Sequence, residues 1–266
     1  MTGELQIDHL SKSFEVASKK GAFTWYPVLK DVTFTVHAGE FVTVIGPSGC
    51  GKSTLLNIIA GLEQSSSGAV RISDQAVSGP GMDRSVVFQE FALFPWLNVR
   101  DNIIFGLKSL KLPATERQAR AENYIKLVGL DRFADYYPNR LSGGMRQRVG
   151  IGRALAVEPA VLLMDEPFGA LDALTRRNMQ VALSEIFLRT RKTILFITHD
   201  IDEAVYLSDR VFVLSGEPSR ISLEVCFDLP RPRDHRDAKF QEHVDTLQRA
   251  IIESTSACST AMEVAI

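Results

Sequence analysis

Apolar and polar positions alternate in two stretches near the start of the chain, from Leu5 to Leu10 and from Val32 to Val36, and predict two strands with one buried face each. Between them, Ser18-Lys19-Lys20-Gly21 reads as an exposed hairpin connection. Other runs are apolar without alternation. Phe41-Val42-Thr43-Val44-Ile45, Val161-Leu162-Leu163-Met164 and Thr193-Ile194-Leu195-Phe196-Ile197-Thr198 have the pattern of strands covered on both faces, as in a parallel sheet. Shorter strands are expected at 69–72 and 85–88, and strands at 211–214 and 220–227 are expected to close the sheet. Helical spacing takes over from Val99 to Val128, and strand patterning is sparse until Ala160. The middle third therefore reads as a helical subdomain inserted into an α/β core. Further helices are expected from Leu55 to Gly61, from Ser142 to about Ala156 and over 173–189. After Pro230, the stretch Arg231-Pro232-Arg233-Asp234 reads as a linker with solvated arginines, 238–253 as a helix and 254–266 as a loose tail. The resulting division is an α/β core over 1–95 and 158–228, a helical insertion over 96–157, and a C-terminal extension over 229–266.

The chemistry gathers where these strands end. Gly46-Pro47-Ser48-Gly49-Cys50-Gly51-Lys52-Ser53-Thr54 fits G-x-x-x-x-G-K-[ST] and lies between a strand and a helix. Its glycines let consecutive backbone N–H groups converge on phosphate oxygens, and the helix N-terminus adds its positive end. Lys52 would reach the β- and γ-phosphates and Ser53 a Mg²⁺ ion, so the segment reads as a nucleoside triphosphate site. Asp165-Glu166 follows an apolar strand, where paired carboxylates are costly unless they serve a charged ligand. Asp165 is placed to hold Mg²⁺ through water, and Glu166 to polarise an attacking water. Gln89 and His199 also stand at strand ends, the first for the metal or the water and the second for the γ-phosphate. Ser142 is a candidate N-cap, and Gly143 and Gly144 expose donors for a second phosphate-binding surface. Phe14 could stack on adenine or belong to the core, with Tyr26 or Phe23 as substitutes.

Composition narrows the class. With 266 residues, 45% hydrophobic and 23% charged, the chain has enough apolar material for a substantial core. A formal net charge of -2 gives no global attraction to nucleic acid or acidic membranes. The first ten residues lack a signal-peptide core and no apolar run reaches bilayer length, so a cytoplasmic protein is expected, held at a membrane only by a partner. Cys50, Cys226 and Cys258 have no metal-ligand spacing and suit a reducing compartment. Cys50 is expected to be a passive small residue, with oxidation that blocks the loop as the alternative.

Taken together, these segments resemble the ATP-binding subunit of an ABC transporter over nearly the whole chain. Gly46 to Thr54 looks like Walker A, Gln89 the Q-loop, Leu141 to Met145 the signature, and Val161 to Glu166 Walker B with the catalytic glutamate. Ala170-Leu171-Asp172 looks like the D-loop and His199 the switch histidine. Met145 stands where the family usually has Gln, but the serine and glycines are kept. Phe94-Pro95-Trp96, Met145-Arg146-Gln147-Arg148 and the arginine-proline segment after Pro230 are similar to the nitrate/sulfonate/taurine branch of bacterial importers.

The resemblance implies a P-loop NTPase (RecA-like) α/β core with an antiparallel β subdomain and an inserted α-helical subdomain. It implies ATP and Mg²⁺ as cofactors, with Ser53, Gln89 and Asp165 on the metal and Asp172 at the nucleotide. Two ATPase subunits, identical or close paralogues, would close head to tail so that Ser142 of one completes the site of the other. Transmembrane permease subunits would dock on residues 88–96 and the helical subdomain at the cytoplasmic face of the inner membrane, with a solute-binding protein as an indirect partner. An exporter ATPase, and a soluble ABC ATPase in cluster assembly or on DNA, are the rival readings. The chain has no room for the long coiled coil of the DNA-repair members.

Overall fold

The computed structural model describes residues 3–17 and 23–263. The expected connection at 18–21 lies outside them. Ten strands form one mixed sheet: β1 (Leu5–Ala17), β2 (Phe23–Val36), β3 (Phe41–Ile45), β4 (Ser67–Ile72), β5 (Gln75–Ala76), β6 (Arg84–Val87), β7 (Val161–Asp165), β8 (Thr193–Ile197), β9 (Arg210–Gly216) and β10 (Ser219–Cys226). Among the described residues seven α-helices accompany them: α1 (Lys52–Ala60), α2 (Val99–Leu107), α3 (Ala114–Leu127), α4 (Gly143–Ala156), α5 (Ala173–Thr190), α6 (Ile201–Leu207) and α7 (Ala238–Glu263).

The strand order is β5-β4-β1-β2-β10-β9-β3-β8-β7-β6. From β9 to β6 the pairs are parallel, whereas β5-β4-β1-β2 and the β9–β10 pair are antiparallel. The sheet's edges are β5 and β6, so β9 and β10 do not close it as expected. They sit in its middle, because β10 pairs with both β9 and β2 and joins the antiparallel part to the parallel part.

Period-two geometry explains why the parallel strands are apolar throughout. Phe41 and Ile45, Leu162 and Met164, and Ile194 and Phe196 face one buried layer, against α2 to α7. Val42 and Val44, Val161 and Leu163, and Leu195 and Ile197 face the other, which Leu55, Leu56, Ile58 and Ile59 of α1 cover together with β1, β2 and β4. A strand between two apolar layers has no face left for water, hence no alternation. Its polar groups are pushed to its C-terminal end, where the site lies.

The middle of the chain is helical as expected, with α2, α3 and α4 around a core that includes Ile103, Ala121, Ile125 and Val149. Two expectations fail at the C-terminal end. Arg231 and Arg233 are not solvated: Arg233 is buried and donates to the carbonyls of Val205, Ser208 (2.6 Å) and Leu229 (3.3 Å), while Arg231 donates to Leu207 O (2.5 Å) and pairs with Asp209. They close the carbonyl end of α6, where orphan acceptors and the helix dipole both favour cations. Burial pushes the Arg233 guanidinium down to about 10. The helix expected to stop at Glu253 also runs on to Glu263. Phe240, Val244 and Leu247 form its buried stripe. Among the described residues no helix is long and apolar enough to cross a membrane.

Candidate active site

The loop between β3 and α1 takes its shape from its glycines and its lysine. Gly51 has φ +91°, and a Cβ there would stand 2.9 Å from Val28 Cγ1, so both conformation and space require glycine. Lys52 is only 6% exposed and donates through Nζ to the carbonyls of Gly46 (2.9 Å) and Pro47 (3.0 Å). The ammonium thus folds back across the loop and is held over its concave side. Cys50 is buried and burial pushes its thiol pKa up, which favours the unreactive protonated form and fits a passive packing role. Beside the loop is a cavity of about 260 Å³ lined by Tyr26, Pro27, Val28, residues 47–50 and residues 216–219. Tyr26 is on this cavity. Phe14 is not among its lining residues, and its ring lies under Lys12 Nζ at 4.5 Å. Phe23 is exposed on the other face of β2 from Tyr26.

In the first turn of α1, Ser53 Oγ donates to Asp165 Oδ1 at the end of β7, 3.4 Å away. Both are hard oxygen donors, and burial pushes the Asp165 pKa up, so a cation beside it would relieve an unfavourable charge. Among the described residues no group of three His, Cys, Asp or Glu could hold a metal by itself. Any ion here would need oxygens from elsewhere.

Glu166 is in the left-handed region, φ +42°, a conformation that costs a residue with a side chain about 1–2 kcal/mol. Its N–H donates to Ile197 O (2.8 Å), and its carbonyl accepts from Gly169 N (3.1 Å), so β8 and the turn after β7 hold the strain in place. The twist aims the carboxylate at His199, whose Nδ1 donates to Glu166 Oε2 at 3.0 Å. Gln89, exposed just past β6, places its Nε2 3.1 Å from where a Cβ of Gly169 would stand. Strand ends of β3, β6, β7 and β8 thus bring Lys52, Ser53, Gln89, Asp165, Glu166 and His199 to one rim of the sheet.

Ser142 does cap α4, its Oγ accepting from Met145 N (3.3 Å). The glycines after it have a packing task as well: a Cβ on Gly144 would stand 2.7 Å from Thr175 Cγ2, and one on Gly143 would stand 3.1 Å from Leu171 Cδ2. The signature segment therefore lies on the start of α5. Asp172 caps that helix, its carboxylate accepting from Thr175 N (3.0 Å), and the Thr175 hydroxyl, followed by that N–H, holds its pKa below the usual range.

Sequence reasoning missed the side chains behind His199. Thr198 Oγ1 donates to Glu203 Oε2 (2.7 Å) and accepts from Asp200 N (3.0 Å), and Arg176 reaches Asp200 and Glu203 from α5. Asp200 caps α6 through Glu203 N (3.0 Å), so Asp200 to Glu203 has capping-box spacing. That spacing was a visible signal, but here the glutamate turns to Thr198.

Residues 29–169 match the family model described as ABC transporter. A nitrate import ATP-binding protein of Synechocystis sp. is 48% identical over 226 residues, 85% of this chain and 83% of that protein. A bicarbonate transport ATP-binding protein of Synechococcus elongatus is 47% identical over 249 residues, 92% of this chain and 37% of that longer protein. Among solved structures, a dimeric ATP-binding cassette in a post-hydrolysis state bound to ADP and Pi superposes with TM-score 0.70 at 31% identity, covering 86% of this chain and 99% of that one. A P-loop between β3 and α1, a strained glutamate facing a histidine, and this degree of identity agree: the chain belongs to the ABC transporter family, as one of its ATP-binding and ATP-hydrolysing subunits.

Proposed function

We propose that this subunit powers an importer for a small anion such as nitrate, an aliphatic sulfonate or taurine, working at the cytoplasmic face of the membrane as a pair of ATPase chains on permease subunits. The observation that supports the paired site is the likeness to a solved dimeric cassette bound to ADP and Pi. Lys52, Asp165, Glu166 and His199 share one rim, while Gly143 and Gly144 pack on Leu171 and Thr175. In this reading Ser142 meets a nucleotide held by another chain.

In this reading Ser53, Asp165 and Gln89 would hold Mg²⁺, which would supply positive charge against the phosphate oxygens. The adenine lies against Tyr26, Glu166 polarises the attacking water, and His199 bonds the γ-phosphate. ATP favours the closed pair and hydrolysis releases it. A groove formed by Val86, Ala92, Phe94, Phe105 and Arg153, with Trp96 70% exposed nearby, is suited to a permease helix. The relatives named for nitrate and bicarbonate support a small oxyanion as the solute.

The test is Glu166→Gln with light scattering. ATP and Mg²⁺ should hold the variant as a dimer while hydrolysis falls about a hundredfold or more. Hydrolysis at the wild-type rate would remove Glu166 from its role. For the solute, the subunit co-purified with its permease in liposomes should hydrolyse ATP faster when a nitrate-loaded binding protein is added, and an unchanged rate with every small anion tried would overturn that choice.

A further inference from the structure

Arg176 and Glu203 belong to neither phosphate-facing surface, yet they stand between two of the loops that serve the site. Arg176 lies in the first turn of α5 and donates through Nη2 to Leu171 O (3.3 Å), just before the Asp172 cap. Its Nη1 is 3.5 Å from Asp200 Oδ2 and its Nε 3.8 Å from Glu203 Oε1. Among the described residues that buried Nε has no hydrogen-bond partner, so the fork is one short step from a fuller set of bonds. Glu203, its side chain only 4% exposed, accepts from Thr198 Oγ1 (2.7 Å), the residue before His199. A buried carboxylate facing an incompletely bonded guanidinium is a poor stabiliser. Stability alone therefore does not account for the pair.

We propose that Arg176 and Glu203 are a positioning pair: they tie the loop carrying Leu171 and Asp172 to the loop carrying His199, so that a shift of the first is felt as a change in how His199 meets Glu166. The inference rests on the site reading given above and deepens it. Closing the last gap between Nε and Glu203 draws the Thr198 end of α6 towards α5. His199, one residue on, is carried with it. The groups facing Glu203 are Arg176 from α5 and Asp200, Thr198 and His199 from the loop before α6, with Asp202 and His235 paired 3.9 Å apart farther along the groove. Burial, the largest influence, pushes the Glu203 pKa up to about 7, so the pair is half discharged at neutral pH.

The test uses the full chain with Arg176→Ala, Arg176→Lys and Glu203→Gln. At pH 8 each should lower kcat severalfold while KM for ATP changes less than about twofold. Lysine should restore little, since one ammonium cannot span three acceptors. The wild-type to Glu203→Gln ratio of kcat should rise from near one at pH 6 to severalfold at pH 8, because only the wild type ionises there. At pH 8 Glu203→Gln should melt no lower than wild type. Wild-type kcat in both Arg176→Ala and Glu203→Gln would overturn the pair, and so would a loss of kcat that follows a loss of Tm. Glu166→Gln run alongside separates the two failures: full hydrolysis by that variant breaks the site reading itself, whereas its inactivity beside wild-type kcat in Glu203→Gln breaks the positioning pair alone.

Discussion

At the rim of the parallel strands this chain gathers charge: buried Lys52, Asp165 whose pKa burial raises, and Glu166 in a left-handed conformation against His199. At the N-terminus of α4 the donors on offer are neutral, with the Arg146 guanidinium turned back onto Leu141 O (2.9 Å). Ser142, Gly143 and Gly144 offer one hydroxyl and backbone N–H groups, shaped by packing on Leu171 and Thr175. Charge out of water needs a complete shell of partners, so it is installed where strands from one chain can supply that shell. Neutral donors carry a small desolvation cost and can wait for a ligand brought by another chain. On the function proposed above, the difference separates what holds ATP from what completes its site.

Changing one surface and not the other tests this division. Lys52→Ala should act first, on binding: ATP affinity should fall about a hundredfold by calorimetry, as expected for losing charge-assisted bonds to phosphate, with hydrolysis at background. Ser142→Ala should leave the affinity of the monomer for ATP unchanged and lower hydrolysis about tenfold, with weaker ATP-dependent dimerisation by light scattering. Equal loss of monomer affinity in both variants would break the division. Glu203 lies behind the charged rim and gives a third, smaller effect. Its pKa is about 7 folded against an ordinary 4.5, so the folded protein holds the extra proton between those values. Stability from this group is present at low pH and is lost as pH rises through about 7, by up to about 3 kcal/mol. Glu203→Gln should thus raise Tm by a few degrees at pH 8, with the gain shrinking towards pH 5. The smallest effect is expected at the cavity beside the loop, where Tyr26→Ala should raise KM for ATP about three- to tenfold if adenine stacks there, with Phe14→Ala near wild type.

How much of this could be read in advance depended on whether the cause was local. The phosphate loop, the carboxylates after β7, the cap at Ser142 and the covered strands all leave short-range marks: glycine spacing, a charge after an apolar run, a hydroxyl before a helix. The choice between Phe14 and Tyr26 leaves none. β1 shifts register against β2 between Ile7 and Leu10, Leu10 and Lys12, and Lys12 and Ser13. Each shift can change which face a later side chain takes, so counting from Leu5 does not place Phe14. The arginines after Pro230 were misjudged for a similar reason. Their acceptors, at Val205, Leu207 and Ser208, are more than 20 residues away, and only the folded chain brings them together. Asp200 and Glu203 carried capping-box spacing, but spacing does not say which partner a carboxylate will choose.

The closure of α6 by Arg231 and Arg233 bears on how this protein is handled at the bench. A clone trimmed at Pro230 to the minimal nucleotide-binding unit would uncover the carbonyls that the two guanidiniums seal, at the far end of the short helix that begins beside His199. Lost turnover in such a clone would then report frayed geometry rather than a missing regulatory tail, and purification handles belong beyond Glu263 or at the amino terminus.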